Sequence, residues 1–275
     1  MKITSKSLLI DCEYCVEKIT TFLRDYLNKN RLKGYVIGVS GGLDSSVCLK
    51  LAVQGVGSNR VYALLLPGAV TPTEDMEDAL TLVNTLGVRY NIINISNIVE
   101  SIRRSIPIYD VNDRVADGNI QARVRMTILY YYANHLGYAV LGTGDKSELL
   151  LGYFTKHGDG GVDLLPIGDL YKTQVRQLAR YLELPTRISE KKSSPGFWRG
   201  HLAEQELGFT YEEADPFLYA IFDLGLSLNE AIEATGIDRR KAEAILKRVR
   251  MTYHKRVRPP IVRLGKKCIW DLEVI

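Results

Sequence analysis

Long apolar runs are missing from this chain of 275 residues. None approaches the ~18 residues that a membrane span requires. The start, Met1 to Lys6, leads into only three apolar residues, Leu8 to Ile10, which is too short for a secretory leader. A cytoplasmic protein without membrane contact is expected. Cysteine and histidine are scarce, four of each. Cys12, Cys15, Cys48 and Cys268 cannot build a disulfide framework, and no second Cys pair completes a zinc site. Cys12 and Cys15 share an apolar helical stripe with Val16, Ile19, Phe22, Leu23, Tyr26 and Leu27, where a buried thiol acts as a small hydrophobe. An excess of one charge is also lacking. Lys and Arg number 36 against 32 Asp and Glu, so the net charge is only +4. That suits a small anionic substrate as well as a nucleic acid. Internal repeats are absent.

What is present is ordinary globular usage, 46% hydrophobic and 25% charged residues, which excludes a disordered chain, a collagen and a coiled coil. A chain of this length buries roughly 70–75% of its unfolded surface, and a single domain over 1–275 is expected. Short, wholly apolar strands are predicted at 35–39, 61–66, 90–95 and 138–142. Helices are predicted at 46–53, 73–86, 98–105 and 119–136. Strands of this kind, alternating with helices, predict an α/β fold: an open, doubly wound, mainly parallel sheet with helices on both faces. Its ligand site should lie beyond the strands' C-terminal ends. The second half predicts a helix at 171–182, an aperiodic loop at 190–208 and a helical C-terminal region at 211–224, 227–235 and 238–254.

The strongest signal is the loop Gly38-Val39-Ser40-Gly41-Gly42-Leu43-Asp44-Ser45-Ser46. Glycines let the backbone approach a ligand, serines add donors, and the helix that follows presents unpaired N–H groups and a partial positive charge. This is a phosphate cradle. It lacks both the Gly-Lys-Ser/Thr ending of a Walker A loop and the dinucleotide Gly-x-Gly-x-x-Gly. Asp44 inside such a cradle repels phosphate unless a cation intervenes, which implies Mg²⁺.

The string Ser40 to Ser45 resembles the pyrophosphate loop of the ATP pyrophosphatase superfamily. Three further segments narrow the resemblance: Asn119-Ile120-Gln121-Ala122-Arg123-Val124-Arg125, Leu141-Gly142-Thr143-Gly144-Asp145-Lys146-Ser147-Glu148, and Gly152 to Pro166 with its Phe-Thr-Lys-x-Gly-Asp-Gly-Gly-x-Asp-Leu-Leu-Pro string. In this order they resemble the ammonia-dependent NAD synthetases over about residues 15–257. The resemblance implies ATP-dependent amidation of deamido-NAD by ammonia through an adenylate, releasing AMP and pyrophosphate, in a homodimer. It implies ATP contacts at Gly38, Val39, Ser40, Gly41, Gly42, Leu43, Asp44, Ser45, Thr143, Lys172 and Ser194. Deamido-NAD contacts fall at Arg123, Lys156, Asp163, His254 and Lys255. Asp44 and Glu148 follow neighbouring strands and could share Mg²⁺ with the phosphates. Asp44, Lys172 and Lys156 are the candidate catalytic residues, with Lys172 opposing charge that develops on the phosphates. Leu43 stands where Gln is common in the family, and the tail from Arg258 has no counterpart.

Plainer readings compete at several positions. Arg123 and Arg125 suit a solvated helix face, Lys156 and Asp163 a turn, Glu148 an exposed helix, and His254 a helix-end partner for the dipole. The nine Lys and Arg between 239 and 258 also fit a tRNA-modifying relative of the superfamily. A nucleotide sensor would need the cradle but neither a second acidic metal ligand nor a dinucleotide site.

Overall fold

A computed structural model describes residues 2–266 and 268–271; Met1, Lys267 and 272–275 at the margins of the expected domain lie outside it. Four strands, β1 (Tyr35–Gly38), β2 (Val61–Leu65), β3 (Arg89–Ile92) and β4 (Ala139–Leu141), form one sheet in the order β3-β2-β1-β4. Every pairing is parallel. The expected doubly wound sheet is therefore present.

Strand alternation divides the interior in two. Tyr35, Ile37, Val61, Ala63, Leu65, Ala139 and Leu141 point into one core, while Val36, Tyr62, Leu64 and Val140 point into another. The first core is closed by α1 (Cys12–Asn30), α2 (Leu43–Val56) and α3 (Thr73–Thr85). The second lies under α4 (Ser96–Ser105) and α5 (Arg114–Leu136). Burial on both faces explains why these strands read as continuous apolar runs. The chain winds outward from β1 to β3, then crosses back to β4 on the other side of β1. That reversal makes the strand ends at Gly38 and Leu141 the sheet's topological switch point, the place where doubly wound sheets hold ligands.

Short α6 (Lys146–Leu151) follows β4, then α7 (Lys172–Tyr181), α8 (Thr186–Ser189) and α9 (Ala203–Leu207). The helical C-terminal region is α10 (Tyr211–Phe222), α11 (Leu228–Thr235) and α12 (Arg239–Met251). Thr210 with Glu213 and Ser227 with Glu230 form capping boxes that start α10 and α11. These helices enclose a third core that also takes Ile3 and Leu8 from the N-terminal segment. No described helix is long and apolar enough to cross a membrane.

Several boundaries differ from the sequence reading. The helix after the phosphate loop begins at Leu43 rather than Ser46, and α5 begins at Arg114 rather than Asn119. Asp113 caps α5 by accepting from Ala116 N (3.0 Å). Gly118 disguised this first turn, and it serves packing, since a Cβ there would collide with the Phe197 ring. The third strand ends at Ile92, although Ile93 N and Ile95 N still donate to Leu65 O and Pro67 O (both 2.9 Å). α8 and α9 were not foreseen; each is too short to show a period. Cys12 and Cys15 pack half-buried against the first core, and burial pushes both thiols up, as a structural role requires.

Candidate active site

The phosphate loop folds on its own serines. Ser40 N donates to Ser45 Oγ (3.3 Å), Gly42 N donates to Ser40 Oγ (3.2 Å), and the Ser45 and Ser46 hydroxyls donate to Gly42 O (3.2 and 2.7 Å). Gly41 has φ +76°, and a Cβ there would collide with the Asp75 carbonyl, so only glycine fits. Gly42 caps α2 without any side-chain bond, which leaves first-turn amides free for an anion. Val39 and Leu43 are buried in the first core. Their side chains anchor the loop, and only their backbone can serve a phosphate. The departure from Gln at Leu43 therefore changes the loop's footing rather than its cradle.

Behind the cradle lies a buried charge cluster. Lys172 opens α7, and its Nζ is 2.8 Å from Asp44 Oδ2, 2.9 Å from Asp145 Oδ2 and 2.7 Å from Glu148 Oε1. Lys172 and Asp145 are wholly buried. Burial alone would disfavour the ammonium, but Asp145, Asp44 and Glu148 together hold its pKa well above the ordinary value. Burial pushes Glu148 well above the usual carboxylate range, against the pull of Lys172 and with added push from Asp145 and Asp44. Asp145 is raised in the same way, mainly by burial. Three carboxylates thus share one cation.

This imbalance suits Mg²⁺. Asp44 Oδ1 is buried with no hydrogen-bond partner, a donor atom left over on the loop side. Among the described residues, no three His, Cys, Asp or Glu side chains already converge on a metal position. Mg²⁺ commonly takes one or two carboxylates and completes its shell with substrate phosphates and water. Asp44 and Glu148 fit that pattern. Thr143 lies two residues past the end of β4, whose last residue Leu141 pairs with Ile37 of β1, the strand that leads into the cradle.

The stretch 190–208 is anchored to this site. Lys191 Nζ donates to Gly41 O (2.9 Å) and pairs with Asp75 and Asp78 (2.8 Å each). Phe197 sits over Gly118, with its carbonyl accepting from Gln121 Nε2 (3.3 Å). His201 is buried, stacked on Trp198 at 3.4 Å between ring centroids, with Nε2 2.8 Å from Glu206. Ser194 spends its hydroxyl on His201 O (2.5 Å).

Of the expected dinucleotide contacts, Arg123 is on α5, Lys156 and Asp163 are in the loop beside it, and His254 and Lys255 follow α12. Gly158 packs on Ala122 and Gly161 on Met126, close approaches that draw the 155–163 loop along the helix. Arg123 Nη2 donates to Lys156 O (3.4 Å), and Lys156 Nζ donates to His254 O (2.9 Å). Arg123 and His254 are exposed and Lys156 is half-buried. Lys255 donates to Gly152 O (2.8 Å) and Phe154 O (2.7 Å), and burial with nearby Arg248 lowers its pKa. Asp163 lies farther along α5, accepting from Val140 N (2.7 Å) and Tyr130 Oη (3.2 Å). The basic run shares this structural work. Arg248 and Arg256 donate to carbonyls at the end of α6, and Lys241 pairs with Glu213 (2.6 Å). Such use of cations at a helix C-terminus satisfies its free carbonyls.

Asp145, Lys191 and Asp215 escaped the sequence reading. Asp145 did carry a signal, since it caps the helix after a strand beside β1, as Asp44 opens the helix after β1. Lys191 and Asp215 carried none.

A family model described as NAD synthase matches residues 15–259. The chain is 49% identical over 266 residues to an NH(3)-dependent NAD(+) synthetase of Staphylothermus marinus, covering 96% of each. Among solved structures it is similar to an NMN synthetase from Francisella tularensis (TM-score 0.82, 33% identity, 94% of this chain and 100% of that one). It is also similar to the NH3-dependent NAD synthetase from Campylobacter jejuni (TM-score 0.79, 30% identity, 92% and 100%).

Proposed function

The chain belongs to the NAD synthase family, and from that premise we propose how its own residues divide the work. It is an ammonia-dependent ligase: with ATP it amidates deamido-NAD, giving NAD, AMP and pyrophosphate through an adenylated intermediate. The substrate carboxylate oxygen bonds to the α-phosphorus of ATP as the bond to the β-phosphate oxygen breaks. Ammonia then adds to the acyl carbon, loses a proton and expels AMP.

In our reading the backbone of Gly38, Val39, Ser40, Gly41, Gly42 and Leu43, with Asp44 and Ser45, receives the departing pyrophosphate. Thr143, Lys172 and Ser194 complete the ATP contacts, the Ser194 hydroxyl by exchanging its bond to His201 O, and Lys172 opposes charge growing on the phosphates. Asp44 and Glu148 would hold Mg²⁺, which when bound neutralises phosphate charge. Arg123, Lys156, Asp163, His254 and Lys255 receive deamido-NAD. Lys156, a catalytic candidate by its motif, is read here as a substrate contact, and its hydrogen bond to His254 O must exchange for deamido-NAD. The reading also has the enzyme act in the cytoplasm as a single-domain homodimer, without nucleic acid or membrane. Tyr131, 69% exposed on α5 while Tyr130 and Tyr132 bond inward, supports a surface for a second copy.

The observation that carries these roles is the buried Lys172 held among Asp44, Asp145 and Glu148 beside the cradle. The test is one assay on the purified chain: ATP, Mg²⁺, ammonium and deamido-NAD, with NAD and pyrophosphate measured together. Equal yields of both are expected. Two further arms replace ammonium with glutamine, and deamido-NAD with nicotinate mononucleotide. The second follows from the likeness to an NMN synthetase. Faster amidation of the mononucleotide would overturn the dinucleotide contacts, and glutamine matching ammonium would overturn free ammonia as the donor.

A further inference from the structure

Asp215 lies on α10, in the helical core outside the sheet, yet it reaches the root of the charge cluster. Its side chain is 0% exposed. Oδ1 accepts from Ser147 Oγ (2.6 Å) and Oδ2 accepts from Thr173 N (2.8 Å). Ser147 Oγ in turn accepts from Lys172 N (2.9 Å). Ser147 precedes Glu148 on α6, and Thr173 follows Lys172 on α7. One carboxylate therefore joins the first turns of the two helices that carry Lys172 and Glu148.

A buried acid is costly unless its oxygens are well used. Burial pushes this one up to about 7 despite bonds from Ser147 and Thr173 that favour its ionised form. A neutral cap on α7 could satisfy one amide without that cost. What a carboxylate adds is two acceptor oxygens in a fixed plane, aimed at two helices at once. The N-terminal dipole of α7 favours its charge.

We propose that Asp215 is a positioning residue for the adenylation step: it fixes α6 and α7 against each other so that the Lys172 amine and the Glu148 carboxylate stay in register at the phosphates. This inference rests on the assignment of Lys172 to those phosphates. Asp215 acts only through Ser147 and the backbone of α7, so its loss changes where Lys172 points rather than what touches ATP.

The test compares Asp215→Asn, Ser147→Ala, the double variant and Lys172→Met. Pyrophosphate release at saturating substrates yields kcat and the KM for ATP, normalised to folded protein by circular dichroism and active-site titration. A small displacement of a catalytic group costs on the order of 10–100-fold in rate, and a fall in kcat of that size is expected for Asp215→Asn. The KM for ATP should move far less. Ser147→Ala should fall in the same direction, and the double variant should be no worse than Asp215→Asn, because both act along one path. Ser147→Ala removes no charge and decides the matter if Asp215→Asn fails to fold. A loss in kcat below about fivefold per folded molecule in the deciding variant, or additive losses in the double variant, overturns the proposal. A near-wild-type kcat for Lys172→Met overturns instead the role of Lys172 on which it stands.

Discussion

The two ends of the candidate active site hold their charges in opposite ways. At the ATP end, Lys172 is wholly buried and its amine is shared among three carboxylates from two segments, the starts of α2 and α6. At the dinucleotide end, Arg123 and His254 are exposed, and Lys156 and Lys255 donate to backbone carbonyls. The first arrangement is preorganised: its geometry is set before any ligand arrives, the condition under which fixed charges stabilise a transition state best. The second keeps flexible cations in place with neutral partners that a phosphate can displace. Rate should therefore depend on the buried end and affinity on the exposed one.

The sharpest break in this contrast is expected from Lys172→Met. It strands three carboxylates around one buried position, and adenylation should fall by on the order of 10³-fold. Removing one partner from a buried charged group costs about 3–5 kcal/mol, so the denaturation midpoint should drop as well. Pyrophosphate release and a urea titration measure the two losses. A variant that loses stability but keeps its rate would make Lys172 a purely structural cation.

A smaller loss, about 10²-fold in kcat, is expected for Asp44→Asn in the same assay at limiting Mg²⁺. More Mg²⁺ should recover part of it. An unchanged rate at limiting Mg²⁺ would remove Asp44 from the metal.

At the other end, Lys156→Ala should raise the KM for deamido-NAD by roughly tenfold while kcat changes little, the mark of an interaction made equally in ground and transition states. If kcat falls instead and KM holds, Lys156 belongs with the reacting atoms and the contrast between the ends collapses.

The smallest effect concerns stability against pH. Asp215 has its pKa raised from an ordinary 3.8 to about 7. Between those values the folded chain keeps a proton that the unfolded chain has released. Its contribution to stability is thus full below about pH 4 and is lost as the pH rises toward 7, with a slope of at most about 1.4 kcal/mol per pH unit. Urea midpoints measured across that window should fall more steeply for the wild type than for Asp215→Asn. Lys156→Ala should follow the wild type. Parallel slopes for all three would mean that Asp215 does not hold its proton.

The strands and the phosphate loop were legible because their signals are local. Tyr35 to Gly38 is apolar throughout since both sheet faces are covered, and the run from Gly38 to Ser46 carries its turn chemistry within nine residues. Helix starts were less so. The first turn of α5 was hidden by Gly118, whose reason for being there is the ring of Phe197, a residue far along the chain. The resemblance directed attention to Lys172 and Glu148, but not to Asp145, which completes their cluster, nor to Lys191, which ties the 190–208 stretch to Gly41 O.

By itself, then, the sequence determined the alternation of strands and helices, the Gly- and Ser-rich turn between β1 and α2, and through its motifs the family's reaction. These follow from neighbours in the chain, where backbone geometry and side-chain period act directly. Only the tertiary structure decided how the charges are partnered. Asp44 and Lys172 are 128 residues apart and Ser147 and Asp215 are 68 apart, yet each pair meets within 2.8 Å. No local rule sets such a meeting. It depends on the reversal of winding at β1 and β4, which brings the helix starts after these two strands together, and on a separate helical core that carries Asp215 to their roots. Burial then makes each partnership matter, because a charge removed from water must find its counterpart inside the protein.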